Sequence, residues 1–167
     1  MSRWIRGGSD EIADYLARVA VLLERNGVTL RVAVGEDLEL QEHRVTGNLS
    51  FELLGDLPDA STPSRSELVV AEKFERIGPD EYVRVAYAYE LLDHERDYRR
   101  GFHLHDPEWF QREFLVVVHE HCEGPIGHET CGHYEGPPIK DAYAGVMTLM
   151  DVWCADPVDC SQLRCLR

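Results

Sequence analysis

The run Tyr82-Val83-Arg84-Val85-Ala86-Tyr87-Ala88-Tyr89-Glu90-Leu91-Leu92 decides the class of fold. Its large apolar residues recur every second position, the period of a strand with one buried face. That reading puts Val83, Val85, Tyr87, Tyr89 and Leu91 on one face and makes the Tyr87/Tyr89 stripe core. Similar runs lie on both sides: Thr29–Val34, Val45–Leu54, Leu68–Ile77, Asp97–His105 and Phe114–Cys122. Short polar turns join them, with a loop tract from Leu57 to Ser64 and no helical pattern between strands. The order therefore predicts an antiparallel meander over 29–122 and argues against a doubly wound sheet.

Helical periods appear only at the two ends. Ser9 to Asn26 places Ile12, Leu16, Val19 and Leu23 on one stripe, with Ser9 as N-cap, Asp10 and Glu11 in the first turn and Asn26-Gly27 as the stop. Pro137-Pro138 introduces a second helix, 139–153, with Ile139, Ala142, Tyr143, Val146, Leu149, Met150 and Trp153 as its apolar face. Helix, meander, helix predicts a single α+β domain over 1–167, both helices packed on one face of the sheet. A His/Cys-rich loop (122–133) and a cysteine-containing tail (154–167) complete it.

Composition bounds the partners. Acidic residues outnumber basic ones 31 to 17, a net charge of −14, and only two of the basic residues are lysines. This balance disfavours nonspecific binding to a phosphate backbone, RNA included, and suits high salt or a basic protein partner. Arg96, Arg99, Arg100 and Arg112 make the densest local positive group. No apolar run is long enough to span a bilayer, and the first residues lack the apolar segment of a signal peptide, which predicts a cytoplasmic protein without membrane contact. In that compartment five cysteines point to thiols, metal ligands or a redox tail rather than disulfides.

Six of the eight histidines lie between His103 and His133. Strand alternation pairs His103 with His105, and His119 with His121. A symmetric hairpin centred near Trp109 would set His105 opposite Glu113, His103 opposite Leu115, His119 opposite Arg99 and His121 opposite Asp97. The two histidine pairs would then stand roughly 13 Å or more apart at ~3.3 Å per residue. The same register predicts a polar patch of Asp97, Arg99, His119 and His121. Its chemistry would be general acid–base catalysis: a carboxylate to orient an imidazole, a second imidazole, and an arginine for a developing anion.

The following loop, Cys122-Glu-Gly-Pro-Ile-Gly-His128-Glu-Thr-Cys131-Gly-His133, has the composition of a metal knuckle. Cys122, His128, Cys131 and His133 would close a tetrahedral zinc site, with Cys154, Cys160 or Cys165 as alternatives should the tail fold back. Four protein ligands would leave no open position and so make the ion structural.

From about Leu68 to Trp153 the layout resembles the small TumE-type toxins of toxin–antitoxin pairs. The resemblance is carried by Tyr87-Ala-Tyr89, Asp97-Tyr-Arg99-Arg100, His103-Leu-His105, His119-Glu-His121 and the closing helix up to Trp153. It implies a ribonuclease or related phosphodiesterase, with His119 and His121 as acid and base, Arg99 on the phosphate and an antitoxin as partner. The reading from another class is a protein-binding module that carries structural zinc and docks a basic partner through its acidic surface.

Overall fold

A computed structural model of the chain describes residues 5–32, 38, 40–58, 66–128 and 131–166. Helix α1, Ser9–Arg25, opens the fold, after the short strand β1, Arg6–Gly7. Its N-cap is Gly8 rather than Ser9, and the Glu11 carboxylate accepts from the Gly8 N–H. Ile12, Leu16, Val19 and Leu23 are buried, and Gly27, at φ +82°, ends the helix in a conformation that glycine adopts without strain. Strands β2 (Thr29–Leu30), β3 (Gln41–Glu42), β4 (Leu49–Asp56), β5 (Ser66–Gly78), β6 (Glu81–Asp93) and β7 (Tyr98–Leu104) follow. After helix α2 (Pro107–Phe114) come β8 (His119–Glu123), β9 (Tyr134–Glu135) and helix α3 (Ala142–Cys154). The expected strand at 29–34 is seen as β2, and Ala33 and Val34 lie outside the described residues, as does most of the 57–64 tract.

The strands form one sheet in the order β2-β4-β5-β6-β7-β8-β9, with β3 on β4, β1 on β6, and every pairing antiparallel. Helices α1 and α3 share one core with Phe51, Leu53, Leu68, Val70, Tyr87, Tyr89, Leu91 and Phe102, so the α+β architecture with both terminal helices on one face stands. Gly145 of α3 packs directly against the sheet. A Cβ there would lie 2.4 Å from the Tyr89 ring, so glycine is what lets α3 reach the sheet.

Two expectations about the meander need correction. Tyr87, Tyr89 and Leu91 are buried as expected, but Val83 and Val85 point to the other face, while Tyr82 and Arg84 point inward. A bulge between Lys73 and Phe74 of β5 pairs Lys73 with Ala86 and Phe74 with Arg84, leaving Val85 as the extra residue. One inserted residue reverses the alternation beyond it.

The second correction moves the histidines. The segment after His105 is not a hairpin turn but α2, with Pro107 in its first turn and Phe110 and Phe114 one turn apart. Asp106 (φ 44°) and Leu115 (φ 61°) make the left-handed corners that bracket it. With the whole of 105–118 spent on the connection, β8 starts at His119, and the register becomes His103 opposite His119 and Gly101 opposite His121.

Candidate metal centre

This register brings together what the simple hairpin would have separated. Side chains of paired residues share a face, so His103, His119 and His121 project from the side of the sheet opposite Phe102. His105 follows directly after β7. His133 lies two residues before Glu135, the β9 partner of His119, which puts it beside His121. The rings form a close group: His119 lies 4.5 Å from His105, 4.9 Å from His133, 5.3 Å from His121 and 5.6 Å from His103, between centroids. In His103/His105/His119, and again in His119/His121/His133, one nitrogen from each ring lies within 4.8 Å of the others. Among the described residues these two triples can hold a metal ion.

His119 is the centre of the group. It is 0% exposed, and among the described residues neither Nδ1 nor Nε2 has a hydrogen-bond partner. Phe110 of α2 stacks on its ring at 4.0 Å and 8°, and also touches His105 and His133 edge-on. Leaving a buried polar group unsatisfied costs on the order of 1–3 kcal/mol. His119 and His121 are held neutral. Burial first, then the neighbouring imidazoles, lower the pKa of His119 to about 2, and burial followed by His103 and His133 lowers that of His121 to about 4. A neutral imidazole is the ligand form for a metal.

A carboxylate supports the group from behind. Glu90 lies 2.7 Å from His103 Nε2 and accepts from Arg99, which also donates to Glu123. Burial alone would raise the pKa of Glu90, but the contacts with His103 and Arg99 outweigh it and hold the carboxyl at about 2. Gly101 makes room for this pair, since a Cβ there would sit 3.1 Å from His103 Nε2 and 3.2 Å from Glu90 Cγ. A carboxylate on the far nitrogen of a histidine fixes its tautomer and ring orientation, the usual outer support of a ligating imidazole.

The expected sites are rearranged accordingly. Of the patch Asp97, Arg99, His119 and His121, only the histidines are in the cluster's core. Asp97 sits in the β6–β7 turn and accepts from the Ile126 N–H, while Arg99 is opposite Glu123 with its guanidinium on two carboxylates. Of the set Cys122, His128, Cys131 and His133, only His133 joins the cluster. Cys122 follows His121 on β8 and therefore points to the opposite face, where it forms a disulfide with Cys160, and Cys131 is bonded to Cys165. Disulfide sulfur is not the thiolate that binds zinc. His128 is exposed in the turn after β8. Cys154, exposed on the surface, is the free cysteine. His103, His105, Glu90 and Phe110 were missed as site residues; the Pro107, Phe110, Phe114 spacing was the signal that would have replaced the hairpin by a helix.

No helix in the described residues is long and apolar enough to cross a membrane. In comparisons with protein families, characterised proteins and solved structures, the chain matches none.

Proposed function

We propose that this protein binds a divalent transition-metal ion of the zinc class through the histidine cluster. The observation that carries the reading is His119: a fully buried imidazole with two unpartnered nitrogens, at the shared vertex of two three-histidine groups. All-imidazole ligation suits zinc, copper, nickel and iron and not magnesium or calcium, which take oxygen donors. Three protein nitrogens leave a fourth position for water, the arrangement of catalytic rather than structural zinc. A metal-bound water is also the better source of hydrolytic chemistry here. His119 and His121, held well below neutral pKa, are poorly matched to act as an acid–base pair near pH 7, and Arg99 is already engaged by Glu90 and Glu123. Phosphodiester cleavage of the kind that the toxin-like layout implies would therefore run through that water.

The test is elemental analysis and calorimetric zinc titration of protein purified without a histidine tag. Binding at a histidine-dependent site is expected, and the double variant His105→Ala/His133→Ala, which takes one ligand from each triple, should weaken it by at least tenfold. Retained affinity in that double variant would remove the cluster as the site.

A further inference from the structure

We propose that the cluster holds two metal ions, bridged by the ring of His119. The inference rests on the metal-binding reading above and deepens it. The two triples share only His119: His103 and His105 complete one and His121 and His133 the other, with the His103 and His121 rings 4.6 Å apart between them. An imidazole presents its two nitrogens at separate points of its edge. A single ion would use one of them and leave the other buried with nothing to pair with, because both His119 nitrogens lack a hydrogen-bond partner among the described residues. A second ion satisfies it. Phe110 lies flat on one face of the His119 ring, and the other four imidazoles stand at steep angles to it with centroids 4.5 to 5.6 Å away.

The step balances without any redox change. Neutral His119 carries one proton. When both nitrogens become ligands that proton leaves to solvent, and the ring bridges as the imidazolate anion. Each metal then has two further imidazole nitrogens and a position for water. The bridging anion lies between the two dications and offsets their repulsion, and Glu90, 2.7 Å from His103, places a further negative charge beside the first of them. The ions would stand about 6 Å apart, from two metal–nitrogen bonds of ~2.0 Å and the width of the ring.

The experiment loads the metal-free, disulfide-intact full chain with Cu²⁺ alone. It counts bound ions by mass under native conditions and records the electron paramagnetic resonance spectrum. Two coppers per chain are expected, with the spectrum of an isolated ion replaced by that of a magnetically coupled pair. His105→Ala and His133→Ala remove ligands from opposite halves, neither of them within a strand; each should reduce the count to one and restore the isolated-ion spectrum. His128→Ala, outside both triples, should keep two coupled ions. Saturation of the parent chain at one copper overturns the bridge and leaves the metal-binding reading standing. Two coppers without coupling also overturn the bridge, and no bound copper overturns both readings.

Discussion

Arg84 and Glu72 show what one charged pair does in the middle of a core. Both side chains are essentially unexposed, and the Arg84 guanidinium donates to Glu72 Oε1 at 2.6 Å, to the Tyr89 hydroxyl at 3.0 Å and to the Lys140 carbonyl. Tyr15 and Tyr89 hydroxyls donate to the same carboxylate oxygen, and Tyr15 in turn accepts the Ala142 N–H at 2.7 Å, where α3 begins. One network thus connects α1, β5, β6 and the start of α3. Burial raises the pKa of Glu72, against the opposing pull of Arg84. Removing the cation alone should therefore be costly, because the carboxylate stays buried without its partner. Arg84→Met is expected to lower unfolding stability in urea by roughly 3–5 kcal/mol, and Arg84→Met with Glu72→Gln by distinctly less. Equal losses in the single and double variants would mean that the pair contributes through packing rather than charge.

At the scale of elements, the local signals were legible and the long-range ones were not. Helix α1 and the body of α3 show in the sequence because an amphipathic stripe repeats within a few residues. The hearts of β4 to β7 show because alternation is equally local. The bulge at Val85 is invisible there, since alternation carries no record of a residue skipped in pairing. Register between β7 and β8 depends on how much chain the connection consumes, and reading 106–112 as a turn placed His119 four residues away from its partner, opposite Arg99 rather than His103. The cysteine connectivity was equally out of reach, for the pairs are 38 and 34 residues apart and spacing does not determine pairing. Their placement bears on the site. The Cys131–Cys165 bond, the Leu166 N–H to His133 carbonyl bond at 2.9 Å and the Glu135–Arg164 contacts fasten the tail along the segment that presents His133. Reduction by a phosphine, which converts each disulfide to two thiols, is expected to weaken zinc binding several-fold. His133→Ala should be insensitive to the same treatment in calorimetric titration. Unchanged affinity in the reduced parent chain would show that β8 and β9 hold His133 without the tail.

For the whole molecule the decisive quantity is proton uptake. His119 and His121 are neutral in the folded chain down to about pH 2 and 4, whereas in the unfolded chain they protonate near the ordinary value of about 6.5. Between those values the unfolded state binds more protons, so stability must fall as pH drops below about 6.5 and be fully present above it. For buried His119 the slope approaches about 1.4 kcal/mol per pH unit, an upper limit if the cluster relaxes on protonation. Glu90, held at about 2 by His103 and Arg99, adds a loss of the same sign once pH falls below the ordinary carboxylate range. Net charge acts the other way, because acidification reduces the −14 that repels itself across the surface. At about 1 M salt the screening length is ~3 Å, which suppresses the surface term and leaves the buried cluster largely unscreened. Metal-free protein in high salt is thus expected to lose thermal stability steadily from pH 6.5 to 4, and His121→Ala should flatten part of that slope. Bound zinc should stay in place through that window and be released only as pH falls to about 4, where protons begin to compete for the His121 imidazole. A melting temperature constant from pH 8 to 5 in high salt would mean that these rings titrate as exposed histidines do, and that the cluster is open to water rather than closed beneath Phe110.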